Sequence, residues 1–235
     1  MEVGLAGTID EDKLPRVLDI LNALAGHEPS PIVVNEMVLR FQPQEGCAAP
    51  ISLKSEIRLR RYSDGDSASI PSTKQNKFRW VAYQYGRPPW GDLAMAKLPA
   101  TVRTVTESCC SGPDVLGFWK GLGYVVRREM TKAGYTCDVI LGPGTAQKRR
   151  GNADHKIVHF LVSRLSVNDG TLNDGEQHFR QYPILLVEAW VRIDVDERYE
   201  DAIQSVVDVC QVLSQHCPGV CLSPLPIGKH TTRQA

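Results

Sequence analysis

The side chains best suited to nucleophilic or metal chemistry in this 235-residue chain are its seven cysteines and six histidines. Cys210, Cys217 and Cys221 cluster with His216 near the C-terminal end, while Cys47, Cys109, Cys110 and Cys137 are dispersed. No C-x-x-C pair occurs, and the spacings match no common zinc motif. The cysteines therefore read as reduced thiols, some of them buried as small hydrophobes. Cys109 and Cys110 would need a histidine beside them to act as nucleophiles, and none is near in sequence. His155 and His159 would share a helix face, but their segment reads as a strand, where that spacing separates them by about 13 Å. Asp194 and Asp196 follow a strand carrying Glu188 and Arg192. Carboxylates so placed could bind a divalent cation, though capping of the helix that follows is the simpler role.

Other chemistries lack their signatures. There is no phosphate-cradling loop of Walker type, and Gly142-Pro143-Gly144 lacks the dinucleotide spacing. No Gly-x-Ser-x-Gly elbow is present. Lys148, Arg149 and Arg150 could touch nucleic acid from a Gly-rich loop, but a solvated loop explains them as well. Arg58, Arg60 and Arg61 with Lys54 form a more ordered basic group, and Glu56 within it makes this a mixed-charge strand face.

These residues must be positioned by strands for the most part. Leu14, Val17, Leu18, Leu21, Leu24 and Ala25 recur at helical spacing and predict a helix over 10–25. Thr8 and Glu11 stand at capping-box spacing, Pro15 fits its first turn and Gly26 its end. A short strand over 3–9 precedes it. Strands follow over 32–42, 51–60, 78–85 and 101–106. In the second of these, Ile51, Leu53, Ile57 and Leu59 oppose Lys54, Glu56, Arg58 and Arg60. A short helix over 113–122 carries Val115, Phe118, Trp119 and Leu122, with Ser111 as its cap. Strands over 124–130 and 135–141 flank an expected hairpin at Lys132-Ala133-Gly134. Long strands cover 156–167 and 184–195, and a last helix covers 197–215, capped by Asp194 or Asp196. Most consecutive strands have no helix between them, so the sheet should be largely antiparallel. The fold class is α+β: a multi-stranded β-barrel, or strongly curved sheet, with about three peripheral helices. It forms a single domain over 1–217 with polar loops at 63–76, 142–154 and 168–177, and a loose tail over 218–235.

Composition bounds the function. The chain is 42% hydrophobic and 23% charged, enough for a sizeable core without a metal or disulfide staple. Lys plus Arg and Asp plus Glu both number 27, which argues against a dedicated nucleic-acid binder. No apolar run approaches the roughly 20 residues of a helical membrane span. Glu2, Asp10, Glu11 and Asp12 interrupt any secretory signal, so an intracellular protein is expected.

The order of the segments carries more than any one of them. Gly4-Leu5-Ala6-Gly7-Thr8-Ile9 leads into the helix of Leu14, Val17, Leu18 and Leu21. Asn35-Glu36-Met37-Val38-Leu39 follows, then Trp80-Val81-Ala82-Tyr83-Gln84-Tyr85-Gly86-Arg87-Pro88 and Val102-Arg103-Thr104-Val105. Phe118-Trp119-Lys120-Gly121-Leu122-Gly123-Tyr124 runs towards Arg128-Glu129-Met130-Thr131-Lys132-Ala133-Gly134, and Leu186-Val187-Glu188-Ala189 comes last. Over about residues 4–215 this series resembles the family of subunit 18 of the Mediator head module; the polar loops and the tail have no counterpart. The resemblance implies a β-barrel with peripheral helices and a nuclear, non-enzymatic coactivator component that helps link regulators to RNA polymerase II and its initiation machinery. It implies a heterodimer with Mediator subunit 20, docking of a C-terminal helix of subunit 8, and contact with other head-module subunits. No cofactor, metal, membrane or sequence-specific nucleic acid is expected, and no catalytic or partner-binding residue is assigned.

The family's barrel also resembles the tunnel-type, metal-dependent RNA triphosphatases, which gives the alternative of such an enzyme or a dead relative of one. That chemistry needs alternating glutamates on the first and last barrel strands. Here Glu2 is followed by Gly4, and Glu188 by Trp190, whose indole cannot ligate a cation. Glu56, Arg58 and Arg60 would then line a polar, vestigial lumen.

Overall fold

Strict alternation of polar and apolar residues gives a strand two unlike faces, and long runs of it produce a sheet that must hide one face. The computed structural model describes residues 1–42, 56–64, 80–86, 98–142, 156–171, 177–194 and 198–224. Its strands are β1 (Glu2–Asp10), β2 (Ser30–Phe41), β3 (Ile57–Asp64), β4 (Trp80–Gly86), β5 (Thr101–Cys110), β6 (Tyr124–Leu141), β7 (Lys156–Thr171), β8 (Gln177–Arg192) and β9 (Cys221–Pro224). The helices are α1 (Leu14–Ala25), α2 (Val115–Gly121) and α3 (Tyr199–His216), with a 3-10 turn at Glu11–Lys13 before α1.

The sheet closes on itself. Strands run β5-β4-β3-β2-β6-β7-β8-β1, and β1 pairs back onto β5. All the pairings are antiparallel, which makes a closed eight-stranded barrel. β1 divides one edge between two partners. Glu2–Gly4 pair with β5, and Leu5–Thr8 pair with the short β9.

The apolar face of the sheet points outward, to the helices. Val3, Leu5 and Ile9 of β1, Val158, Phe160 and Val162 of β7, and Leu185, Val187, Ala189 and Val191 of β8 are buried there. Val17, Ile20 and Leu21 of α1 and Ala202, Ile203, Val206 and Leu213 of α3 cover them. A second cluster joins Leu39, Ile57, Leu59, Ala82 and Tyr124 to Val115 of α2. The main hydrophobic core thus lies between barrel and helices, and the remaining strand face lines the lumen.

The α+β barrel with three peripheral helices is the expected fold, but several local expectations are corrected. No hairpin turn occurs at Lys132-Ala133-Gly134, because β6 runs through it unbroken. Gly134 serves close approach instead of a turn: a Cβ there would meet the Val162 carbonyl oxygen at 2.0 Å. The capping box of Thr8 and Glu11 does not form, since Thr8 belongs to β1 and α1 starts only after the 3-10 turn. Gly26 does end α1, at φ 74°. Asp114, not Ser111, caps α2 by accepting from the Gly117 N–H at 2.7 Å. α3 begins at Tyr199, beyond reach of a cap by Asp194, and Glu200 and Asp201 supply the acidic first turn. Part of the tail expected to be loose is strand β9. Of the expected loops, 63–64 belong to β3, 168–171 to β7 and 177 to β8. Residues 51–55, 65–76, 143–154, 172–176 and 225–235 lie outside the described residues.

Candidate functional site

The lumen collects the charged face of the strands. Alternation along β2 sends Met37, Leu39 and Phe41 outward and Glu36 and Val38 inward. Register then places Glu36 opposite Arg60 of β3 and Met130 of β6. Glu36 is fully buried. Its two oxygens accept separately, Oε2 from Arg60 at 2.6 Å and Oε1 from Arg58 at 3.1 Å. Burial alone would push its carboxyl up. The guanidinium of Arg60, with Lys132 and Arg58, reverses that and holds it at about 2. Arg60 is the complement: burial disfavours its charge, but Glu36 outweighs burial and raises its proton affinity.

A second cluster sits where β1 meets β5 and β8. Glu2 lies opposite Arg103 on one side and Arg192 on the other. Arg103 donates to Glu2 Oε1 from both Nε, at 2.9 Å, and Nη2, at 2.5 Å. Arg192 Nε lies 3.4 Å from Glu2 Oε2, and its Nη1 also pairs with Glu107. Two tyrosines of β4 link the clusters. Arg103 stacks 3.7 Å from the Tyr85 ring centre, and Arg60 lies 4.9 Å from that of Tyr83. Tyr83 donates to or accepts from Tyr62 at 3.0 Å. Burial drives both Tyr83 and Tyr85 phenols upward, so they stay neutral. Lys132 closes the set, reaching Glu188 at 2.6 Å.

The sequence candidates among the described residues are spread over the lumen, the core and the surface. Glu2 and Glu188 face the lumen, but cations occupy them. Gly4 and Trp190 stand opposite each other on β1 and β8, and the indole stacks on His159 at 5.6 Å. His159 also bonds Asp138 at 2.8 Å; His155 lies outside the described residues. Cys210 and Cys217 are buried in the main core, Cys221 is exposed on β9, and the His216 carbonyl accepts from Arg16. Burial pushes the Cys210 thiol up to about 12, which makes it inert rather than nucleophilic. Cys109 is exposed and Cys110 donates to the Ser108 carbonyl. Asp194 follows β8, while Cys47, Lys54, Lys148, Arg149, Arg150 and Asp196 lie outside the described residues. Among the described residues no three His, Cys, Asp or Glu side chains are grouped to hold a metal. A carboxylate held at about 2 with both oxygens engaged is a poor general base near neutral pH.

Arg58 and Arg60 were readable as a lumen pair, but Glu36, Arg103, Lys132 and the two tyrosines were not singled out. The signal for Lys132 was masked by the turn-like Lys-Ala-Gly. For Glu36 it was a lone acid between Asn35 and Met37, whose partners are set only by register.

Fold and interior together define a closed antiparallel barrel whose lumen holds its own ion pairs. A family described as "Med18 protein" matches residues 1–136, more than half of the sequence, and the chain belongs to that family. A chain in the structure of the Schizosaccharomyces pombe Mediator head module has the same fold, with a TM-score of 0.61 and 15% identity over 95% of this chain and 98% of that one. PH1819 protein from Pyrococcus horikoshii OT3 follows at a TM-score of 0.49 and 13% identity, covering 94% of this chain and 92% of its own. No curated protein matches the sequence.

Proposed function

We propose that this protein is a non-enzymatic subunit of the Mediator head module, acting in the nucleus to link regulators to RNA polymerase II and its initiation machinery. Membership of the Med18 family carries this reading. The fold shared with a chain of the fission-yeast head module supports it. The lumen supports the non-enzymatic part: Glu2 and Glu36 each give both carboxylate oxygens to arginines, which leaves them unable to bind substrate or metal without breaking buried ion pairs. The outer surface is then the working surface. Its partners are Mediator subunit 20, as a heterodimer, and the C-terminal helix of subunit 8, with further head-module contacts.

Co-expression with subunit 20 and the C-terminal segment of subunit 8 from the same source, followed by size-exclusion chromatography with mass determination, tests this. Stoichiometric co-elution is expected. A folded chain that stays monomeric beside folded partners would refute the proposal. In that event, manganese-dependent phosphate release from triphosphate-ended RNA would identify the tunnel enzyme instead.

A further inference from the structure

The two charged clusters of the lumen differ in balance. The cluster around Glu2 is neutral, with Arg103 and Arg192 facing Glu2 and Glu107 (2 − 2). In the cluster around Glu36, Arg58, Arg60 and Lys132 are held by Glu36, Glu56 and Glu188. Two further arginines lie on the same strand face. Arg58 of β3 and Arg128 of β6 both stand opposite Val38 of β2, and Val38 packs inside the barrel with Met130 and Val167. Arg40 is two residues further along β2 and so shares the face of Val38. Five cations against three acids leave this cluster net positive by two (5 − 3).

The surplus is local. Arg40 and Arg128 are exposed at the end of the barrel where β2 stops and β6 starts, and among the described residues neither forms an ion pair. Arg58 completes the group from the other side of β2, donating from Nη1 to Glu36 and from Nε to Glu56. Directly opposed residues have Cα atoms about 5 Å apart, and residues two apart on one strand about 7 Å. The three guanidinium groups can therefore meet over Val38 without breaking a bond to Glu36. The neighbouring acids are engaged elsewhere. Asp10, where β1 ends, pairs with Lys13 at 3.0 Å, and Glu129, on the opposite face from Arg128, accepts from Asn168.

We propose that this mouth of the barrel binds a phosphate monoester, with Arg40 and Arg128 as its main contacts and Arg58 as the third. A phosphate monoester carries close to two negative charges at neutral pH, which matches the surplus, and its oxygens suit the forked donors of arginine. A carboxylate or a phosphodiester brings one charge and leaves half of the surplus unmet. The group is the same on a small metabolite and on a phosphorylated side chain of a partner protein. Binding leaves the buried pairs of Glu36 intact, and the inference does not rest on head-module assembly.

Isothermal titration of the full chain at low ionic strength, where exposed charges are weakly screened, tests this. The probes are glycerol 3-phosphate, a pentapeptide with a central phosphoserine, acetate, dimethyl phosphate, and a single-stranded RNA without a terminal phosphate. Both monoesters are expected to bind with one-to-one stoichiometry, about tenfold or more tighter than acetate or dimethyl phosphate. Both of the following outcomes support the site: equal affinity of the two monoesters identifies a small-molecule ligand, and a peptide about tenfold tighter identifies a phosphorylated partner. Arg40→Gln with Arg128→Gln should remove about tenfold of the affinity. Glu56→Gln should tighten binding about threefold by releasing Arg58, and Lys120→Gln, on α2 outside the barrel, should change nothing. All four side chains are exposed, so circular dichroism melts should match the parent. No saturable binding, equal binding of acetate or dimethyl phosphate, preference for RNA, indifference to loss of both arginines, or an equal loss in Lys120→Gln would overturn the proposal.

Discussion

Glu36 concentrates the physics of the lumen in one side chain. It is ionised and fully buried, and it is held down at about 2 by Arg60, Lys132 and Arg58 against the opposing effect of burial. A depressed carboxyl contributes stability above its unfolded value of 4.5 and loses it as pH falls through about 2. The shift amounts to about 3 kcal/mol, lost between those two values. Urea unfolding from neutral pH down to about pH 2.5 should therefore show a stability decline that Glu36→Gln lacks across the same window. At neutral pH, Glu36→Gln should itself cost about 3–5 kcal/mol, because Arg60 keeps a buried charge without its carboxylate. Parallel pH curves for both proteins would contradict this account. The sequence shows Arg58 and Arg60 alternating with apolar residues, which identifies a charged strand face. It does not show that this face is interior, because alternation separates two faces without saying which one the closure encloses. Glu2 and Glu188 were legible as lumen residues. Their cationic partners come from strands about 100 and 56 positions away, at distances that only register can set.

At the scale of elements, two features carry testable weight. α3 seals the outer core, and its Leu213 is fully buried against the barrel. Leu213→Ala should cost about 2–5 kcal/mol in denaturant unfolding, with an unchanged slope. A loss below 1 kcal/mol would mean that the helix is loosely seated. β9 depends on Gly7, where a Cβ would meet the Cys221 carbonyl oxygen at 2.2 Å. Gly7→Ala should raise hydrogen exchange over 221–224 while β1 amides bonded to β8 stay protected. Retained protection at β9 would contradict the close approach. Helix periodicity found α1, α2 and α3, because their apolar stripes are long or bounded by glycine. β9 was missed, since four mostly exposed residues between prolines lack an alternating pattern. The unbroken β6 was missed for a different reason: glycine signals a turn and a close strand crossing with the same letter, and the close approach of the Val162 carbonyl decides between them.

The whole molecule divides its strand faces between the helices outside and the lumen inside. The larger apolar faces meet the helices, and the lumen holds a set of paired acids and bases beside a small apolar cluster of Val38, Met130 and Val167. This division explains how a chain with equal acidic and basic totals can be strongly polarised locally. It also frees the exterior for assembly, which is the role proposed for this Med18-family chain. The antiparallel barrel was legible from strand count and the lack of intervening helices. Which strands close it was not, because the β1–β5 pairing joins residues about 100 positions apart and only register sets it. The most direct measurement is quantitative mass spectrometry of a complex purified through a tagged copy of this chain from its own cells. The account predicts about one copy per complex alongside the other Mediator head subunits, with purification from the nuclear fraction. Recovery of the tagged chain without those subunits would contradict it.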